Sequence, residues 1–244
     1  MTVVLNELLG RPLLKIYQDP NSFNFSLDSM LLASFATISP NTKKICDLCS
    51  GNAPIPLYLT LRTNASILGV EIQKYSYELA QKSVIINKKE AQINIICDNL
   101  CGVSNKIGKE VFDLVTCNPP FFKKGSACLN PNDEKIIARH EVMCTLDDVC
   151  KEASSLLKTN GRFAMVHRPD RLVEIIETMK KYRMEPKRLQ FVYPKQNKQC
   201  NHILIEGIKD GKSGGLVVLE QLFVYNEDNK WTKEILKIYN FEEE

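Results

Sequence analysis

Short apolar runs alternate with helical spacing along most of this chain. Residues 43–49, 66–71, 93–97, 111–117 and 162–167 are rich in Ile, Val, Leu and Cys and bounded by polar turns, the pattern of buried strands. Residues 189–193 and 202–209 supply two more. Between these runs the period changes. Tyr75, Leu79 and Ile86 recur on one face of a helix predicted over 73–87. Leu146, Val149, Ala153, Leu156 and Leu157 do so in a helix that starts at Thr145-Leu146-Asp147-Asp148 and ends at Asn160-Gly161. Leu172, Ile175, Ile176 and Met179 mark another. Strands alternating with helices predict an α/β fold with a seven-stranded, mostly parallel sheet covered on both faces.

Composition adds boundaries. The 244 residues, 44% hydrophobic with 11 Gly and 11 Pro, suit one domain with an ample core. We read 1–40 as an N-terminal cap, 41–210 as the core and 211–244 as an extension carrying the single tryptophan, Trp231. In the cap, Asp19-Pro20-Asn21-Ser22 is turn chemistry, and an aromatic-rich loop runs into a short apolar helix ending near Ala33. That helix either packs on the sheet or covers a ligand. A net charge of +3 gives no bulk electrostatic argument for nucleic acid. No leader pattern and no bilayer-length apolar run is found, so a cytoplasmic protein without a membrane partner is expected. Cys46, Cys97 and Cys117 sit inside strands as small hydrophobes. Cys46 and Cys49 form a C-x-x-C with no second pair, so no metal site and reduced thiols are expected.

The stretch with the most chemistry is Asn118-Pro119-Pro120-Phe121-Phe122. Paired prolines stop the preceding strand in a stiff turn that offers an amide side chain, a backbone carbonyl and an aromatic face. The lone pair of an exocyclic purine amine is delocalised into the ring. Two acceptors, the Asn118 side-chain oxygen and the Pro119 carbonyl, would favour a tetrahedral nitrogen and stabilise the charge it gains. Phe121 or Phe122 would stack on the base. The competing reading is a strand end closed by two prolines, with its phenylalanines returning to the core. Three earlier strands also end at polar groups, Asp47, Glu71 and Asp98, and together with Asn118 they predict one functional edge. Pro54 and Pro56, tolerated in a first helical turn, pin a helix start near Gly51-Asn52. Glu71 then stands about 20 residues beyond a strand–turn–helix corner, the offset of an acid that takes ribose hydroxyls.

Taken together, Asn118-Pro119-Pro120-Phe121, the stretch 25–33 and Asp47-Leu48-Cys49-Ser50-Gly51-Asn52 carry a resemblance. Gly69-Val70-Glu71-Ile72-Gln73, Ala138-Arg139-His140-Glu141 and Val166-His167-Arg168-Pro169 before Arg171-Leu172 extend it. The chain resembles the Rossmann-like class I S-adenosylmethionine-dependent methyltransferases, and within them the bacterial tRNA(Val) adenine-37 N6-methyltransferase family, over most of its length. The resemblance implies S-adenosylmethionine as cofactor, S-adenosylhomocysteine as product, a tRNA substrate and a monomer. It implies cofactor contacts from Asp28, Asp47, Cys49, Gly51, Glu71, Ile72, Asp98, Asn99 and Asn118. Catalytic roles fall to Asn118, Pro119, Pro120 and Phe121, and substrate contacts to Phe121, Phe122, Lys123 and Lys124. This sequence departs from the family's three-glycine turn, with Cys49 and Ala53 at two of the glycine positions.

Other readings stay open. The same chemistry serves DNA adenine or a glutamine amide; a degenerate relative would bind RNA without turnover. A nicotinamide dehydrogenase lacks support, because the full G-x-G-x-x-G is absent. Lys180, Lys181, Arg183, Lys187 and Arg188 are further candidates for an RNA backbone.

Overall fold

The structure, a computed structural model, describes residues 3–8, 11–20, 27–121 and 144–240. Strands β1 (Val4–Leu8) and β2 (Arg11–Gln18) pair as an antiparallel hairpin. The hairpin is strapped to the later helix α3: the Tyr17 N–H donates to Ser83 Oγ at 2.9 Å, and the Lys15 N–H to Asn87 Oδ1 at 2.8 Å. Helix α1 (Leu27–Phe35) follows and buries Met30, Leu31, Leu32 and Ala33.

The main sheet begins with β3 (Lys44–Leu48) and continues through α2 (Pro54–Leu59), β4 (Ser66–Glu71), α3 (Lys74–Ile86) and β5 (Ile93–Cys97). Next come the one-turn α4 (Ser104–Ile107), β6 (Phe112–Cys117), α5 (Leu146–Leu156), β7 (Leu157–His167), α6 (Leu172–Lys181), β8 (Met184–Tyr193) and β9 (His202–Lys209). With β10 (Val217–Val218) at one edge, the spatial order is β10-β8-β9-β7-β6-β3-β4-β5. All seven expected strands are present. The sheet has nine because the terminal segment adds β10 and β11 (Leu222–Phe223), both parallel to β8. Two-residue strands carry no period to read in a sequence.

Alternation along the strands feeds two cores. Ile45 and Leu114 face one, with Leu32 and Leu57; Cys46, Leu48, Val115 and Cys117 face the other, with Val149 and Phe163. Strands β3 to β7 are mutually parallel, and β8 points the same way because β9 is antiparallel to both β7 and β8. Their carboxyl ends therefore share one edge, the edge where open α/β sheets bind ligands.

Three expectations need correction. The helix from Thr145 has its capping box, with Thr145 and Asp148 bonded reciprocally, but it ends at Leu156. Leu157 already pairs with Phe112, and residues 158–161 bulge before Arg162 pairs with Leu114. The buried face of α3 is Leu79, Ala80, Ser83 and Val84, whereas Ile86 is exposed, because the β1–β2 hairpin covers a different side from the one the apolar spacing marks. Cys97 is exposed at the end of the edge strand β5, unlike buried Cys46 and Cys117. The chain's terminal helix α7 (Lys233–Asn240) packs beside Trp231, whose ring centroid lies 3.9 Å from Tyr239 and 6.1 Å from Tyr225.

Candidate active site

A cavity opens at the carboxyl ends of β3, β4, β5 and β6. Each wall follows from a local sequence feature. After β3 the chain turns sharply through Cys49, Gly51 and Ala53, all at positive φ (57°, 55° and 71°). Pro54 and Pro56 then open α2 with Ala53 as its N-cap, two residues beyond Gly51. Cys49 and Ala53 are thus held in the left-handed region that favours glycine. The turn approaches β4 closely: a Cβ on Gly69 would sit 2.6 Å from Ser50 Oγ and 2.5 Å from Ile95 Cδ1, so only glycine fits there.

Glu71 ties that turn to the end of β4. Its Oε2 accepts the Gly51 N–H and its Oε1 the Gln73 N–H, both at 2.8 Å. Burial raises its carboxyl above the ordinary value, opposed by these backbone donors. A carboxylate has about four lone-pair positions, so Glu71 retains acceptor capacity for a ligand hydroxyl. Asp98, just past β5, is held below the usual carboxylate range by Lys106, which donates to Oδ1 at 2.8 Å and Oδ2 at 2.7 Å. Ile72 and Leu100 add aliphatic surface to the same lining. The set offers acidic acceptors for hydroxyl and amino groups together with apolar surface.

Seven expected cofactor residues line this cavity: Cys49, Gly51, Glu71, Ile72, Asp98, Asn99 and Asn118. Pro120 joins them, with Asn118 half-buried at the open end of β6. Asp47 and Asp28 do not line it. Asp47 lies inside β3, one residue short of its end, paired with Gly69 and Thr116 and wholly buried. Thr116 Oγ1 donates to its Oδ1 at 2.6 Å. Burial pushes the Asp47 carboxyl up to about 7, the Thr116 and Ser50 hydroxyls pulling the other way and Glu71 adding to the rise. Asp28, in the first turn of α1, has its Oδ1 3.4 Å from His202 Nε2.

Phe121 stands beside the cavity rather than in its wall, with ring centroids 5.3 Å from His167 and 5.8 Å from His202. His167 is buried, and its Nδ1 accepts the Arg168 N–H at 2.7 Å, which places the neutral ring's proton on Nε2. Burial lowers its pKa to about 4, with Arg171 adding to the fall. Pro119 is buried. Phe122, Lys123, Lys124 and the Ala138–Glu141 motif lie outside the described residues, as do Phe25 and Ser26.

Ser29, Gln73, Leu100 and Cys144 also line the cavity and were not anticipated. Leu100 had a signal, an apolar residue directly after the Asp98-Asn99 pair; Cys144 had none, since only the fold returns it to β3. The neighbouring Cys117 thiol, with burial adding and Cys144 opposing, pushes the Cys49 thiol well above its ordinary value, so it stays protonated. Among the described residues no group of three His, Cys, Asp or Glu side chains is arranged to hold a metal ion, and no helix is long and apolar enough to cross a membrane.

A parallel sheet with an antiparallel β9 inserted near one edge, and a cavity at its carboxyl edge, is the Rossmann-like fold of the class I methyltransferases. The crystal structure of a predicted O-methyltransferase, protein Atu636 from Agrobacterium tumefaciens, shares it with a TM-score of 0.69 at 20% identity, over 88% of this chain and 96% of that one. The chain belongs to the methyltransferase small domain family, whose model matches residues 24–190. It is 31% identical over 185 residues to a Porphyromonas gingivalis protein named tRNA1(Val) (adenine(37)-N6)-methyltransferase, covering 73% of this chain and 72% of the relative. A Bacteroides fragilis protein of the same name is 25% identical over 151 residues, and the match spans 62% of each chain.

Proposed function

We propose that this protein transfers a methyl group from S-adenosylmethionine to N6 of an adenine at position 37 in a tRNA anticodon loop. The observation that carries the reading is the convergence of Glu71, Asp98 and Asn118, from three strand ends, on one cavity. Its donor set fits the cofactor: acceptors for a ribose diol and an adenine amino group, with Ile72 and Leu100 against the ring. When bound, the cofactor supplies an electrophilic methyl on a sulfonium. Substrate identity is supported by the names of the relatives.

The chain's own residues do the rest. The Asn118 side-chain oxygen and the Pro119 carbonyl accept the two N6 hydrogens and hold the nitrogen where its lone pair is free of the ring. Positive charge gathering on that nitrogen is met by the same two oxygens, so deprotonation need not precede attack, and the surplus N6 proton is released to water afterwards. Phe121 stacks on the flipped purine, a contact that loop RNA permits without melting a duplex.

The test is transfer of tritiated methyl to pools of unmodified tRNA, DNA and protein, followed by nuclease digestion and mass spectrometry. N6-methyladenosine at position 37 is expected. Label confined to DNA or to glutamine would overturn the substrate assignment, and no cofactor binding would overturn the enzyme.

A further inference from the structure

The cations that a sequence nominates for RNA are mostly spent, and they stand on the wrong side. Helix α6 leaves the carboxyl edge after β7 and ends at the opposite edge, where β8 begins. There Arg183 pairs with Asp210 at 2.7 Å, while Lys181 is taken up by Asp147 of α5 at 2.6 Å. Lys187 donates to the carbonyls of Lys212 and Gly214, and Arg188 is engaged by Phe35 O, Thr37 and Glu206. An RNA held at this edge would be a full strand length from Asn118.

The β8–β9 connection lies on the correct edge. Pro194-Lys195-Gln196-Asn197-Lys198-Gln199-Cys200-Asn201 joins the carboxyl end of β8 to the start of β9. Its eight residues hold two lysines, four amide side chains and no acid. Residues 196–199 are exposed, and neither Lys195 nor Lys198 has an ion-pair partner among the described residues. The loop is anchored at its far end. Cys200 Sγ donates to Val192 O and His202 O, and His202 is held against Asp28 and the Phe121 ring. Asn201 Oδ1 is buried there without a partner. The neighbouring turn, joined through the Tyr225 N–H to Pro194 O, carries Glu227 and Asp228, which bound the surface with like charge to a phosphate.

We propose that residues 194–201 form the docking surface for the RNA backbone beside the flipped base, with Lys195 and Lys198 on phosphates and the amides on ribose and phosphate oxygens. This rests on the tRNA reading above and adds where the RNA lies. Lysines and amides without base-edge geometry position a nucleic acid instead of reading it. The loop reaches Phe121 through His202, so a backbone laid on it delivers a base to the stacking face.

The experiment compares K195Q/K198Q with K43Q/K44Q, a matched loss of two exposed lysines at the start of β3 on the opposite edge. Binding of an unmodified tRNA transcript is followed by fluorescence anisotropy from about 50 to 200 mM salt. S-adenosylhomocysteine affinity and circular dichroism melting serve as folding controls. Expected is a roughly ten-fold weaker Kd for K195Q/K198Q and a log–log salt slope reduced by about 1.5 to 2, with K43Q/K44Q near wild type. Equal Kd and slope for K195Q/K198Q and wild type would overturn the docking surface while leaving the methylation assay untouched. A wild type that binds no tRNA also overturns it, whereas absent methylation with intact binding would count against the catalytic reading alone. Should K195Q/K198Q melt early, the single variants K195Q and K198Q carry the same test, each expected to lower the slope by about 1.

Discussion

Lys106 holds Asp98 by both carboxylate oxygens, at 2.8 and 2.7 Å, and Asp98 lines the cavity in which we propose it receives an adenine amino group. Host lysine and incoming ligand therefore draw on one set of lone pairs. The pair itself is solvent-screened, since the Lys106 side chain is 63% exposed, so it adds little to folding. Lys106→Met is expected to tighten S-adenosylhomocysteine binding by about two- to five-fold in calorimetry, with Tm moved by no more than about 2 °C. Weaker binding would show that the lysine orients Asp98 instead of competing for it.

Asp47 and His167 give the pH profile of stability two opposed slopes. The folded Asp47 carboxyl, at about 7 against 3.8, stabilises below the unfolded value and loses that contribution as pH rises through 7. The folded His167, at about 4 against 6.5, stabilises above 6.5 and loses its contribution as pH falls through 4. Between about 4 and 6.5 they offset each other. Asp47→Asn keeps an acceptor for Thr116 and removes the first slope. Urea melts should then show stability increasing with pH across that window, and a gain on the order of a few kcal/mol at pH 8. A variant less stable than wild type at pH 8 would refute the burial cost assigned to Asp47.

Ala53 sits at φ 71°, fully buried, as the N-cap of α2. Ala53→Gly relieves a left-handed conformation that costs about 1 kcal/mol, less the added backbone entropy. A gain of about 0.5 kcal/mol, or a Tm higher by about 1–2 °C, is expected with cofactor affinity unchanged. Cys49→Gly should gain less, because the thiol's contacts with Cys117 and Cys144 are lost.

Asn118→Ala removes one of two oxygens proposed for the target nitrogen. Single-turnover transfer should slow by about 10²–10³-fold with S-adenosylhomocysteine affinity within about three-fold of wild type. Phe121→Ala should instead raise KM, consistent with a lost stacking contact of about 1–3 kcal/mol. Equal effects of both on KM alone would remove Asn118 from the chemistry.

The central strands were legible because parallel strands buried on both faces read as unbroken apolar runs. Glu71, Asp98 and Asn118 followed, since each lies at or just past a strand end that the sequence marks. Asp47 did not, because a one-residue difference in where β3 stops decides whether a side chain reaches the cavity. The β1–β2 hairpin was hidden by its mixed pattern: Leu5, Asn6 and Glu7 are all exposed and show no clean alternation. Leu156 and Leu157 belong to different elements, a helix end and a strand start, and no period separates two adjacent leucines.

Trp231 is the chain's single indole, and it is sandwiched with Tyr225 and Tyr239 in the terminal segment, outside the cavity wall. Emission excited at 295 nm consequently reports on that carboxyl-terminal corner alone. Cofactor titrations followed by intrinsic fluorescence should be silent unless the corner shifts, and a fluorescence melt times the release of α7 instead of the opening of the catalytic edge.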